Sequence, residues 1–324
     1  MPSSWTIVPN GVDSAGRPLH AGAGCCENSS VEVLIELRTL IARHAHEVKG
    51  YGRLSGVRID AAPVATLPVY SLYQPMFGIV AQGAKRIMLA DRMFDCQAGE
   101  YIVGSLDLPV NTHVLRATKD APYLAFALAF DPQLIASILL DAGSGDRRSD
   151  DVLGIGVSRA PAELLEPVVR LLRLLDRPAD TAFLRPMIER EIIWRLLSGD
   201  RGHEVRQIGL ADSRLSKINL AIRWIREHFA DTIRIEDVAK RVAMSPTSFH
   251  RHFRAATAMT PLQYQKQIRL QEARSRLTAK ADDVASIGFS VGYDDPSQFS
   301  REYARLFGAP PGRDAARLRM ALSS

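Results

Sequence analysis

The feature that most constrains this chain is a repeat near its C-terminal end. Val238-Ala239 and Val242-Ala243-Met244 correspond to Ile287-Gly288 and Val291-Gly292-Tyr293 at an offset of 49. Phe249, Phe253 and Pro261 correspond to Phe299, Tyr303 and Pro311 at an offset of 50, so one inserted residue in the turn separates the two copies. The second copy reads as a short helix, a glycine turn at Gly292, and a helix opening at Asp295-Pro296, where Asp caps and Pro suits the first helical position. Phe299, Tyr303 and Leu306 fall at i, i+4 and i+7, one apolar face. Ser297, Gln298, Ser300 and Arg301 are left on the outward side. The first copy opens its second helix at Ser245-Pro246, and its outward face offers Thr247, Ser248, His250 and Arg251, with Arg254 one turn on. Small polar side chains and arginines leading a helix after a tight turn are what a helix-turn-helix presents to base edges. The expected units are residues 235–256 and 284–307. One helical segment, Pro261 to Ala279, joins them into a single rigid reader.

Charge is distributed to match. From Arg214 onward there are 19 Lys+Arg against 11 Asp+Glu, a net of +8, whereas the first 213 residues hold 22 against 25, a net of −3. A basic region coinciding with a doubled helix-turn-helix is the electrostatic footprint of phosphate binding.

The C-terminal third resembles the DNA-binding domain of AraC/XylS-type transcription regulators. Val291-Gly292-Tyr293, Pro296-Ser297-Gln298-Phe299-Ser300-Arg301, Tyr303, Phe307-Gly308 and Pro310-Pro311 carry the resemblance. The first unit departs from the pattern at Ala243, where the turn often has Gly. The resemblance implies base and phosphate contacts at the outward residues named above, double-stranded promoter or operator DNA as a partner, and RNA polymerase as a second.

A length of 324 residues suggests two domains. No run of about 18 apolar residues marks a membrane span, and no basic-then-apolar leader opens the sequence, so a cytoplasmic protein is expected. Three cysteines, Cys25, Cys26 and Cys96, are too few for a disulfide framework and read as reduced thiols.

Residues 1–29 are rich in Gly, Ser, Pro and Asn, without periodicity, and read as a disordered arm. An amphipathic helix follows, Ser30 to His46. His44 and His46 stand at i and i+2, which point apart on a helix and make a poor metal pair. From Gly50 to Asp131, short β-rich runs alternate with turn signals: Gly52–Leu54, Val57–Ile59, Val69–Tyr73, Phe77–Ala81, Lys85–Leu89, Tyr101–Ser105, Thr112–Leu115 and Tyr123–Phe130. Such spacing means a sandwich or barrel. The runs Gly78-Ile-Val-Ala-Gln-Gly-Ala-Lys-Arg-Ile-Met-Leu, Ala98-Gly-Glu-Tyr-Ile-Val and Asp107-Leu-Pro-Val resemble the cupin-like N-terminal domain found on one branch of the same family. The fold class expected is therefore a two-domain α+β chain. A cupin-like β-barrel or jelly roll with flanking helices covers residues 30–200, and an all-α domain with two helix-turn-helix units covers 214–324.

The strand region holds a single histidine, His113, and no His-x-His, so a metal-dependent cupin oxygenase is not expected, nor any cofactor. Tyr70, Tyr73, Met76, Phe77, Tyr101, His113 and Phe126 lie on strands and are candidates to line an effector pocket; strand alternation sends about half of them inward. Helices Pro161 to Asp176 and Thr181 to Leu197 carry broad apolar faces that pack on the barrel of the same subunit or pair two subunits into a homodimer. Residues 201–213, with Gly202 and Gly209, read as the interdomain linker. The leading function is a small-molecule-responsive, sequence-specific transcription regulator, an activator, and not an enzyme. The alternatives are a DNA-docked cupin enzyme, a barrel that only dimerises, and a nucleoid-type structural protein, against which the acidic N-terminal half argues.

Overall fold

The computed structural model describes residues 23–45, 50–51, 54–143, 153–210, 213–279 and 283–322. Its N-terminal half is built on two antiparallel sheets. The first has six strands, β1 (Gly50–Tyr51), β2 (Val57–Ala62), β4 (Met76–Gln82), β7 (Glu100–Gly104), β9 (Tyr123–Ala129) and β10 (Ile155–Arg159), in the order β1-β2-β9-β4-β7-β10. The second has β3 (Val69–Tyr73), β5 (Ala84–Leu89), β6 (Arg92–Gln97) and β8 (Leu108–Arg116), in the order β3-β8-β5-β6. The sheets face each other, and Val80 of β4 and Tyr123 of β9 pack with Cys96 of β6 and Val114 of β8.

The six-stranded sheet is covered on its other face by helices. These are α1 (Ala23–His44), α2 (Pro132–Asp141), α3 (Ala162–Arg173), α4 (Thr181–Ser198) and α5 (Gly202–Gly209). Alternate strand residues, Val57 and Ile59, Phe77 and Ile79, Leu124 and Phe126, share one buried cluster with Leu37, Leu164, Val168 and Ile192 of the helices. Burying one such side chain contributes about 1.5–3 kcal/mol, which makes this layer the main core of the N-terminal half.

The C-terminal half is helical: α6 (Arg214–Glu227), α7 (Ile235–Arg241), α8 (Pro246–Thr257), α9 (Pro261–Ala279), α10 (Val284–Ser290), α11 (Pro296–Phe307) and α12 (Pro311–Leu322). The two halves share a core. Leu106 and Leu108 from the sandwich cluster with Phe253 of α8, Met259 of the connection that follows it and Tyr264 of α9. The Gly154 amide donates to the Ala256 carbonyl at 2.8 Å, and the Tyr264 hydroxyl donates to the Asp107 carbonyl at 2.8 Å. Asp107 is also ion-paired with Arg226 of α6. No helix among the described residues is long and apolar enough to cross a membrane.

Several boundaries differ from expectation. The segment expected as a linker, 201–213, contains α5. Val205 is fully buried there and Glu204 nearly so, because the helix packs on α2 and α4 and completes the main core. The helix expected from Ser30 starts at Ala23, which takes the end of the expected arm; residues 1–22 and His46 lie outside the described residues. Of the run Gly52–Leu54, residues 52–53 are likewise outside them and Leu54 lies in a bend. Three strands were not anticipated, the two-residue β1 just before the run expected from Gly52 among them. β6 is an edge strand whose Arg92, Met93, Asp95 and Gln97 face solvent, so it carries little apolar signal. β10 is five residues long and gains its partner β7 only in the fold.

Candidate nucleic-acid interface

Each helix-turn-helix is held by local chemistry legible in its residues. In the first, the Ser245 hydroxyl accepts from the Ser248 amide at 3.3 Å, and Pro246 opens α8. In the second, the Asp295 carboxylate accepts from the amides of Ser297 at 2.8 Å and Gln298 at 3.2 Å, and Pro296 opens α11. The turns need positive φ: Ala243 sits at 50° and Gly292 at 90°. A Cβ at Gly292 would come within 2.2 Å of the Ala230 carbonyl oxygen, so only glycine fits there. The first turn accepts alanine at its gentler φ. Phe249 and Phe253 pack edge to face with ring centres 5.5 Å apart, as Phe299 and Tyr303 do at 5.7 Å, and all four are fully buried.

With those faces buried, the opposite faces are free. Thr247, His250, Arg251 and Arg254 of α8 and Ser297, Gln298 and Arg301 of α11 are exposed, while Ser248 and Ser300 are half-buried. Arg301 is tethered only loosely, 3.8 Å from Asp295 at the cap of its own helix. Arg251 approaches the neighbouring His252 ring at 3.3 Å. Both guanidinium groups therefore lie midway along the exposed faces of their helices with donors to offer.

Helix α9 bolts the two units together. Arg269 donates to the carbonyls of Phe229 at 2.6 Å, Ala230 at 3.1 Å and Asp231 at 2.9 Å beside the first unit, and to Gly292 at 2.7 Å in the turn of the second. Burial lowers its pKa, and the carboxylates of Asp294, Asp231 and Glu302 oppose that loss. Lys266 pairs with Glu302 of α11 at 2.8 Å, and the Tyr293 hydroxyl donates to the same carboxylate at 2.8 Å. Behind α11, the fully buried Asp314 of α12 accepts from Arg274 of α9 at 2.8 Å and from the Tyr303 hydroxyl at 3.0 Å.

The pocket candidates separate by strand parity. Phe77, Tyr101 and Phe126 form an aromatic cluster, with ring centres 5.9 and 6.2 Å apart, inside the core under the helices and not between the sheets. Tyr70 faces away from the sandwich interior. Its hydroxyl donates to the Leu306 carbonyl at the end of α11 at 2.6 Å, its ring meets Phe307 edge-on at 4.7 Å, and Arg274 lies 5.4 Å over it. His113 pairs in register with Arg86, on the face where Arg86 binds Asp95, although it contributes to the lip of the cavity. Tyr73 and Met76 do line space between the sheets. The wider part of that space is a cavity of about 250 Å³ bounded by Arg58, Asp60, Ser71, Tyr73, Lys85 and Tyr123. Among the described residues, no three or more His, Cys, Asp or Glu side chains group as metal ligands.

Comparison with known proteins agrees with this geometry. Residues 53–204 match the family model described as the AraC-type transcriptional regulator N-terminus, and residues 238–317 match that of a helix-turn-helix domain. The chain belongs to the AraC/XylS family. Among family members, it is 31% identical over 173 residues to the HTH-type transcriptional activator RhaS of Escherichia fergusonii, covering 49% of this chain and 58% of that protein. It is 30% identical over 162 residues to RhaS of Salmonella schwarzengrund, covering 48% and 58%. The chain thus spans less than two thirds of the length of the curated relatives it matches. Its fold is similar to that of ToxT from Vibrio cholerae in an unsaturated-fatty-acid-bound crystal structure, with a TM-score of 0.52, 8% identity, and 83% of this chain and 97% of that one covered. A second ToxT structure, bound to (E)-4-(8-methylnaphthalen-1-yl)but-3-enoic acid, matches with a TM-score of 0.53 at 8% identity, covering 82% and 100%. At that identity the likeness shows the two-domain architecture alone.

Sequence reasoning missed the residues that orient the two helix-turn-helix units, Arg269, Arg274 and Asp314 within the C-terminal half and Asp107 and Tyr264 between the halves, and it placed Tyr70 at a pocket instead of at α11. Arg269 and Arg274 look like ordinary polar positions on α9. Their partners lie 23 and 40 residues away in the chain, so no local period marks them.

Proposed function

We propose that this chain is a sequence-specific transcription regulator, an activator whose sandwich binds a small molecule and whose two helix-turn-helix units bind promoter DNA. The observation that carries the reading is the pair of capped recognition helices, α8 and α11, exposed on their polar faces and bolted by α9 into one rigid body. A rigid body of this kind places its two helices in successive major grooves, about 34 Å apart on one face of the duplex. Thr247, Ser248, His250, Arg251 and Arg254 would read or grip the first segment, and Ser297, Gln298, Ser300 and Arg301 the second. RNA polymerase would be the partner through which activation is exerted, in the cytoplasm, with no enzymatic step. The names of the RhaS activators support activation, and the ligand-bound states of ToxT support a small-molecule effector.

The effector state has a route to the DNA-binding half. Strand β3 has Ser71 and Tyr73 on the cavity and Tyr70 on the end of α11, so one strand touches both. A ligand regulates only if it binds the DNA-competent and incompetent arrangements with different affinity. Dimerisation would use α4, whose Phe183 and Met187 are 79% and 68% exposed one turn apart, with Trp194 two turns on at 47%.

The test is operator binding at matched salt. Arg251→Ala and Arg301→Ala are each expected to cost about 1–3 kcal/mol at the specific site, as for loss of a bidentate contact to guanine. Footprints should show two adjacent groove segments per monomer. Unchanged operator affinity in both variants would refute the assignment.

A further inference from the structure

One end of the space between the sheets is charged where a filled one would be apolar, and there the Arg58 and Asp60 side chains stay 31% and 37% exposed. Inward positions between two packed sheets are ordinarily hydrophobic, and Lys and Arg are among the residues least often buried. Here β2 turns Val57 and Ile59 toward the helices and so turns Arg58 and Asp60 toward the opposite sheet. From that sheet, β5 sends Lys85 inward, on the same parity as the buried Ile87 and Leu89. Arg58 and Asp60 pair at 3.1 Å and cancel. Lys85 has no carboxylate partner among the described residues, and its ammonium lies over the Tyr73 ring, 5.6 Å from Nζ to the centroid. The Arg58 Nε is buried without a hydrogen-bond partner. The cavity therefore carries one uncompensated positive charge and an unused donor beside it.

We propose that this cavity binds a small aromatic monocarboxylate, its carboxylate held by Lys85 and the Arg58 Nε and its ring lying between Tyr73 and Tyr123. The charge selects a monoanion, since one carboxylate neutralises the lining and a phosphate dianion would leave an excess. At about 250 Å³, the space is smaller than the roughly 300–1,000 Å³ of drug-sized pockets, which fits a single ring and a short arm. Buried Tyr123, whose hydroxyl burial keeps protonated, can donate but cannot add a negative charge. The assignment rests on the effector-binding reading of the sandwich given above, and names the chemistry that the reading leaves open.

The experiment titrates the full chain calorimetrically with phenylacetate, its neutral isostere phenylacetamide, and phenyl phosphate, and repeats the titrations on Lys85→Met and Lys85→Arg. Phenylacetate is expected to bind at least tenfold tighter than either of the others. Lys85→Met should lose at least tenfold in affinity for phenylacetate alone, and Lys85→Arg should retain part of it. Because Lys85 has no counter-ion to lose, Lys85→Met without ligand should unfold at the same temperature as the parent or higher. Equal binding of the amide, unweakened binding to Lys85→Met, or a Lys85→Met chain that melts lower would each overturn the proposal. Binding of neutral compounds with none of the carboxylate overturns the proposal but leaves the receptor reading standing. No binding by a broad panel of any charge removes both.

Discussion

Replacing Asp314 by alanine tests how the second recognition helix is held. Asp314 is fully buried and accepts from three groups: Arg274 through Nε at 2.8 Å and Nη2 at 3.3 Å, the Tyr303 hydroxyl at 3.0 Å, and Arg317 at 2.8 Å. Arg317 is 60% exposed, so solvent takes over its share and it adds little. Arg274 is only 14% exposed and Tyr303 is fully buried, and neither regains water when the carboxylate goes. Removing one partner of a buried ion pair costs about 3–5 kcal/mol, and the stranded tyrosine hydroxyl is part of that cost. Against a total stability of about 5–15 kcal/mol, the loss is large. Urea unfolding of Asp314→Ala should show it as a lower midpoint with an unchanged slope, and the melting temperature should drop by more than about 10 °C. Arg274→Ala should cost a similar amount, and the double variant much less than the sum, since either change alone breaks the same network. A loss below about 1 kcal/mol for Asp314→Ala, or strict additivity with Arg274→Ala, would refute the view that this carboxylate holds α9, α11 and α12 together.

Further outcomes follow from the same geometry. Burial alone would raise the Asp314 carboxyl, but hydrogen bonds from Arg274, Arg317 and Tyr303 outweigh it and hold the group below its ordinary value of 3.8. A depressed folded-state pKa stabilises above the unfolded value and ceases to do so as pH falls through the folded one, so stability should be flat above about pH 5 and decline below about pH 4. Asp95, lowered by its bonds from Arg86, adds to that loss, and the smaller acid sensitivity of Asp314→Asn, read by melting at each pH, isolates the share of Asp314. Gly292→Ala should destabilise the second unit by more than the roughly 1 kcal/mol of a positive-φ penalty, because its Cβ meets the Ala230 carbonyl oxygen at 2.2 Å. Melting temperature reads this, and Gly308→Ala, where a Cβ meets nothing within 4 Å, is the milder control. Phe183→Glu with Met187→Glu should shift a dimer toward monomer in sedimentation without lowering the melting temperature of the monomer, since both side chains are exposed.

What the sequence determined by itself is what short-range chemistry controls. The capping side chains of Ser245 and Asp295 act within three residues, and the apolar faces of Phe249 and Phe253, and of Phe299 and Tyr303, recur at helical spacing, so both helix-turn-helix units are legible without a fold. The Gly292 turn and the resemblance carried by 291–311 are equally local. Only the tertiary structure decided which face of each strand is inside. The six-stranded sheet is covered by helices on one side and by the second sheet on the other, so alternation of apolar and polar residues no longer separates core from solvent. Phe77, Tyr101 and Phe126 therefore looked like pocket residues and pack under the helices, whereas Arg58 and Lys85, which no sequence signal singled out, face the cavity. Residues 201–213 read as a linker because glycine and polar residues mask Val205, whose burial depends on α2 and α4, partners remote in sequence. Tyr70 gives the same lesson across domains: its partner Leu306 lies 236 residues away, and no period or motif links a strand to the helix it steadies.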